Sequence, residues 1–205
     1  MSRHTGPVCR SCRREGLKIY LKSDRCFTDK CSFERNQNPP GQHGQRRMRV
    51  SDYGQQLREK QKVKRIYGIL EKQFRRYYAE ASRRKGNTGE LLLQLLEERL
   101  DNILRRSGFV RTIWSARQTV VHGHVLVNGK KADKPGISLK PGDVITFRDK
   151  IQNVIRENME SLAGHIVPSW LELNPAELTA RVIATPTPDQ IPFDVNTNLI
   201  VEFYR

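Results

Sequence analysis

Four cysteines, Cys9, Cys12, Cys26 and Cys31, stand within the first 31 residues of a 205-residue chain, and no fifth follows. Their pattern, C-x2-C-x13-C-x4-C, constrains this end of the chain more than any other feature. Two close pairs separated by a loop of that length match a tetrahedral zinc site, because each short gap lets two thiolates converge on one ion. A redox dithiol of the thioredoxin kind needs one C-x-x-C beside a βαβ pattern, which the neighbouring residues do not offer. Disulfides need an oxidising compartment, and the start MSRHTGPV carries no apolar signal segment. The spacing therefore predicts an intracellular protein holding one Zn2+ on all four thiolates. With four protein ligands no coordination position stays open, so the metal is expected to be structural rather than catalytic.

Charge sets the next bound. The chain carries 37 Lys and Arg against 22 Asp and Glu, a formal net charge of +15. The excess is uneven: residues 1–50 hold 12 basic and 4 acidic side chains, 51–90 hold 11 and 5, and 91–154 hold 11 and 6, but 155–205 hold 3 and 7. A polyanionic partner is expected for the first three segments. A membrane surface is the rival, but no apolar run approaches the roughly 18 residues of a spanning helix and no lipidation signal is present. Nucleic acid fits better, and no small-molecule substrate is implied.

Four pieces follow along the chain. NQNPPGQHGQRRMR, residues 36–49, is rich in Pro, Gly and Gln and reads as an extended arm. Its Arg46, Arg47 and Arg49 are candidates for phosphate contact, the alternative being a solvated linker. SDYGQQLREKQKVKRIYG reads as a capped helix whose Arg58, Lys60, Lys62, Lys64 and Arg65 spread around the axis and leave little core-facing stripe. The next stretch places Leu70, Phe74, Tyr77, Tyr78 and Ala81 on one helical stripe. There Arg75, Arg76, Arg83, Arg84 and Lys85 fall largely outside the stripe, free to reach phosphate. In NTGELLLQLLEERLDNILRRSGF, Leu92, Leu95, Leu96, Leu100, Ile103 and Leu104 keep helical spacing up to a stop at Gly108. A shorter helix follows, with Ser115 and Gln118 in capping-box relation and Gly123 at its end. HVLVNGKKAD then predicts a β-hairpin about a type I′ turn at Asn128-Gly129, with Lys130 and Lys131 just past the tip. ISLKPGDVITF supplies two more short strands. PSWLELNP and NLIVEFYR read as strands as well, with Trp170 and Phe203 in the core, and TPTPDQIPFD reads as a loop.

The stretch RLDNILRRSGFVRTIWSARQTVVHGHVLVNGKKAD resembles the RNA-binding module of the bacterial small-subunit ribosomal protein S-four family. Similar modules are appended to pseudouridine synthases and some tyrosyl-tRNA synthetases. GPVCRSCRREG, PPGQHGQRR, SDYGQQLREKQKVKRIYG, KGNTGELLLQLLEERLDN and NLIVEFYR resemble the ribosomal family too, so the likeness spans the whole chain and points to its zinc-bearing, four-cysteine branch. The implied fold is α+β and mainly helical: a zinc knuckle and basic arm over 1–50, a helical domain over 51–96 plus 155–205, and an αα-plus-β-hairpin (alpha-L type) module over 97–154. The resemblance implies a primary 16S rRNA-binding protein that docks on a junction in the 5′ domain and nucleates 30S assembly. It also implies a place beside ribosomal protein S-five that influences accuracy, and an arm that lines the mRNA entry tunnel, here through Arg46, Arg47 and Arg49. The location would be cytoplasmic, in the ribosome.

Duplex RNA shows proteins mainly phosphates, 2′-hydroxyls and shape, so binding a junction asks for many cations on a rigid frame. In the module Arg105, Arg106, Arg111, Arg117, Lys130 and Lys131 are the contact candidates, each set against plain solvation. His122 and His124 flank Gly123, and hydrogen bonding to RNA or exposure suits them better than metal binding or catalysis, since no acid lies close in sequence. An enzyme is not expected. The span from Gly123 to Gly129 and Lys130 fails as a phosphate loop, and neither H-E-x-x-H nor G-x-S-x-G occurs. The residues after Ile155 are too few for a large catalytic domain. The alternative is a stand-alone RNA-modifying or RNA-binding regulator with the same module; an RNA-modifying enzyme would need a catalytic acid in a pocket, and none is legible. A zinc-dependent DNA regulator would need a recognition helix or heptads beside the cysteines, and neither is legible.

Overall fold

The computed structural model describes residues 6–45, 49–162 and 164–205, which divide into two compact units. The first joins Met1–Gly89 to Asp194–Arg205 and the second runs from Glu90 to Phe193.

The first unit begins with helix α1 (Cys9–Glu15), which ends at Gly16 in the left-handed conformation (φ 67°). A 3-10 turn over Ser23–Phe27 and the short helix α2 (Ser32–Arg35) follow. Helix α3 (Asp52–Ile66) starts where expected: Ser51 caps it by accepting a hydrogen bond from the Gly54 amide. Helix α4 (Glu71–Arg83) buries Phe74 and Ala81 of the predicted stripe, leaves Tyr77 and Tyr78 half-buried and Leu70 exposed. Ile19, Val63, Ile66, Tyr67 and Ile200 are fully or almost fully buried in this unit.

In the second unit the leucine repeat is not one helix. Helix α5 (Thr88–Glu97) stops, Arg99 turns extended (φ −69°, ψ 138°), and α6 (Leu100–Arg106) starts afresh. The break is held by backbone pairing with a distant loop: the Leu100 amide donates to Ile137 O, Asp101 to Pro135 O and Leu139 to Glu98 O. Helix α7 (Ile113–Val121) is capped by Thr112, whose side chain accepts from the Ser115 amide, and not by Ser115 itself. Strands β1 (Val125–Val127) and β2 (Lys130–Ala132) form the expected hairpin, with Asn128 (φ 50°) and Gly129 (φ 75°) both left-handed as a type I′ turn requires. Of ISLKPGDVITF only β3 (Val144–Phe147) is a strand; Ser138 makes a single bridge to Arg99.

The C-terminal quarter departs most from expectation. Helix α8 (Asp149–Ser161) leads to β4 (Leu171–Asn174) and β5 (Thr179–Val182), giving one antiparallel sheet in the order β2-β1-β3-β5-β4. Because β5 pairs with β3, and Ile155, Trp170 and Val182 enter the same core as Leu100, Phe109 and Phe147, residues 155–193 belong with the hairpin module rather than with the helical domain. Only the tail rejoins the first unit, as helix α9 (Thr197–Tyr204) and not as a strand. A short 3-10 turn over Pro188–Gln190 interrupts the expected loop. The described residues are thus mainly helical with one small antiparallel sheet.

Candidate nucleic-acid interface and cysteine cluster

The acids of the helical unit decide which of its cations are available to a partner. On α3 all five candidates are engaged. Glu15, the last residue of α1, has a side chain only 2% exposed and takes both Arg58 and Arg65. Burial pushes its carboxyl up, and the two guanidiniums oppose that shift. Lys62 pairs with Glu59 one turn earlier. Lys60 and Lys64 both donate to Glu71 at 3.0 Å, and the Tyr204 hydroxyl of α9 donates to the same carboxylate at 2.8 Å. Burial alone would raise the Glu71 carboxyl, but the hydrogen bonds from Tyr204, Lys64 and Lys60 outweigh it and lower it to about 2. Lys60 is 4% exposed and also lies 4.3 Å from the Phe203 ring centroid. It cannot reach a phosphate without abandoning this pocket, so the expectation of an RNA contact there is corrected: Lys60 anchors α9 to α3 and α4. Periodicity alone could not show this, because the neutralising acids lie on other elements.

The Glu71 cluster carries a pH dependence. A carboxylate whose folded pKa lies below its unfolded value stabilises the fold fully above about 4.5 and progressively less as pH falls towards 2. Acid titration is expected to loosen α9 within that window, seen as ring-proton shifts of Phe203 and Tyr204 by NMR, with the window absent in Glu71→Gln. Retention of the same transition in that variant would assign it to another group.

On α4, Arg75 and Arg84 pair weakly with Glu71 (3.6 Å) and Glu80 (3.3 Å) and remain largely solvated. Arg76, Arg83 and Lys85 are exposed and form no ion pair among the described residues. Arg49 is exposed as well, whereas Arg46 and Arg47 lie outside the described residues.

In the second unit Lys130 and Lys131 are exposed on the hairpin. Lys131 crosses directly over Gly123 (φ 72°), where an added Cβ would stand 2.4 Å from its Cε, and the His122 and His124 rings lie 6.1 Å apart on either side of that glycine. Lys131 and the two imidazoles are thereby gathered around one glycine. Arg105, Arg111 and Arg117 are half-buried. Arg106 is a second correction: it is 7% exposed, its Nε donates to Glu97 Oε2 at 2.9 Å, and Asn102 donates to the same carboxylate. Beside it Arg99 and Asp101, 1% and 0% exposed, form a second ion pair at 2.6 Å. These two pairs hold the break between α5 and α6.

The four cysteines all lie in the short elements that open the first unit. Cys9 opens α1, Cys12 is buried one turn on, Cys26 is buried in the 3-10 turn, and Cys31 is buried at the start of α2. All four thiols are free, and the Lys22 amide donates to Cys26 Sγ at 3.4 Å. Burial raises the Cys12 thiol; a hydrogen bond with the Ile19 backbone lowers it, and Cys26, Cys9 and Cys31 push it further up. Among the described residues no three His, Cys, Asp or Glu side chains are drawn into a closed ligating arrangement. The donor type, thiols that are buried or half-buried, is the one a structural zinc takes.

Comparison with known proteins matches both parts of the chain. Residues 3–97 match the family described as "Ribosomal protein S4/S9 N-terminal domain", and residues 98–145 match "S4 domain". The chain belongs to the uS4 family. Relatives named "Small ribosomal subunit protein uS4" are 54% identical over 206 residues in Thermoanaerobacter sp. (strain X514) and in Pelotomaculum thermopropionicum, and 50% identical over 204 residues in Dictyoglomus turgidum. Each likeness covers 100% of this chain and 99% of the relative. Both parts of the family pattern, the N-terminal domain and the S4 domain, are thus present in a single chain. No helix among the described residues is long and apolar enough to cross a membrane.

Proposed function

We propose that this chain is a non-enzymatic structural constituent of the small ribosomal subunit, in the cytoplasm, that binds 16S rRNA. Likeness to small-subunit uS4 proteins over the full length of the chain carries the reading. The finer reading is a primary binder of a 5′-domain junction that nucleates assembly of the 30S body. In support, each unit presents exposed cations on a buried, ion-paired frame: Arg76 and Arg83 on α4 with Lys85 just beyond it, and Lys130 and Lys131 on the hairpin. A-form RNA is read through phosphates and 2′-hydroxyls, so rigid placement of such cations supplies shape recognition without base readout. The Glu15, Glu71, Glu97 and Asp101 pairs supply that rigidity. Through family likeness, the arm from Arg46 to Arg49 lines the mRNA entry tunnel, and the chain adjoins ribosomal protein S-five and influences accuracy.

In the same reading Cys9, Cys12, Cys26 and Cys31 hold one zinc ion, as in the four-cysteine branch of the family. Bound there, the ion supplies a cross-link between α1, the 3-10 turn and α2. The alpha-L type description of the hairpin module belongs to this proposal as well.

Removing Lys130 and Lys131 tests the charge argument. The double alanine variant is expected to bind 16S 5′-domain RNA more weakly, with the slope of log K against log salt smaller in magnitude by roughly 2, about one for each phosphate no longer neutralised. An unchanged slope would mean that both lysines are merely solvated.

A further inference from the structure

The knuckle carries an aromatic pair that the cysteines do not explain. Phe27 follows Cys26 and is 74% exposed; it stacks on Tyr20, itself 36% exposed, with ring centroids 5.0 Å apart and planes 25° from parallel. Isolated exposed apolar residues are ordinary on protein surfaces. This one is held in place. Tyr20 (φ 56°) and Ser23 (φ 52°) both occupy the left-handed region, which costs a non-glycine residue energy that the surroundings must supply. Arg25 Nε donates to Lys30 O and Arg35 Nε donates to Asp29 O, fastening the turn around Phe27 and keeping two guanidiniums beside it. One ring face is covered by Tyr20, so the solvated area belongs to the opposite face and the edges. Phe27 also borders a cleft of about 280 Å³ shared with Lys18, Thr28, Asp29, Glu34 and Arg35. Between Lys18 and Arg35 the knuckle holds five basic and three acidic side chains; in the cleft itself Lys18 pairs with Glu34, while Arg25 and Arg35 are exposed.

We propose that Phe27, backed by Tyr20, is a stacking platform for one unpaired RNA base, with Arg25 and Arg35 near the flanking phosphates. An aromatic face in a basic setting suits a nucleobase, because every base has a π-face and stacks without a sequence requirement. The net positive charge of residues 18–35 and the exposed Arg25 and Arg35 favour a nucleotide over an apolar protein segment. The site rests on the rRNA-binding reading and adds to it a contact that carries no charge.

The test compares full-length wild type, Phe27→Ala and Phe27→Trp in binding to 16S 5′-domain RNA over a salt series, with matched thermal unfolding as a check of folding. Loss of one base stack is expected to weaken Phe27→Ala roughly 5- to 100-fold. The salt slope should stay unchanged, because no phosphate contact is removed. Phe27→Trp should bind like wild type, and its added indole emission should be quenched by RNA beyond any change in Trp114 and Trp170. Affinity unchanged in Phe27→Ala, with no added quenching in Phe27→Trp, would overturn the platform while leaving the rRNA reading intact. Weak binding by both variants without quenching would make Phe27 a packing residue and overturn it too. Unchanged RNA affinity with failed entry into subunits reconstituted with the other proteins would make the surface a protein contact instead. Failure of wild type to prefer this RNA would remove the reading beneath the proposal and the proposal with it.

Discussion

Asp101→Ala is expected to lower the unfolding free energy of the second unit by about 3–5 kcal/mol, among the largest single-residue effects in the chain. Asp101 is 0% exposed and its partner Arg99 is 1% exposed, so the substitution leaves a guanidinium without its carboxylate in the interior. The cost comes from the stranded charge more than from the missing attraction, since removing two charges from water already consumes most of what their pairing returns. A double replacement by Arg99→Met and Asp101→Leu should therefore recover much of the stability. Denaturant unfolding of the two single variants and the double variant checks this as a cycle. A single variant within about 0.5 kcal/mol of wild type would mean that water reaches the pair.

Cys12→Ser is expected to abolish zinc binding, with bound metal falling from one ion per chain to none by elemental analysis. Structural zinc contributes on the order of 10 kcal/mol to small zinc folds at neutral pH, far more than the few buried apolar groups of the knuckle supply. Ile19 and Leu21 are its main buried aliphatic residues, so hydrogen exchange over residues 9–35 should lose protection in the variant or on chelation. The Glu90–Phe193 unit has its own core and should keep its protection. Wild-type protein purified without metal, yet with a protected knuckle, would refute the zinc assignment.

What the sequence made legible was local. Ser51 before a basic helical run marks the start of α3, and Asn128-Gly129 marks the hairpin, because both signals act within a few residues. The break at Glu98-Arg99 was hidden, since the leucines keep one phase across it and the cause is backbone pairing with residues 135–139. Strand β5 was missed for a similar reason: its partner β3 lies some 35 residues earlier, and four alternating residues are too few to stand out. NLIVEFYR reads as a strand through its β-branched and aromatic content, yet forms α9, where Ile200 is buried, Phe203 meets Tyr53 and Lys60, and Tyr204 meets Glu71. Tertiary contacts override propensity there. The same limit applies to the interface: counting cations located the basic segments, while the acids that silence Lys60 and Arg106 became visible only in the folded chain.

Filter binding of the purified full-length protein to 16S 5′-domain RNA and to length-matched duplex DNA, over a salt series, addresses the central claim most directly. A strong preference for the RNA that persists at moderate salt is expected, because rigidly placed cations match one folded shape. Equal binding to both, collapsing together as salt rises, would contradict it and leave only a basic surface.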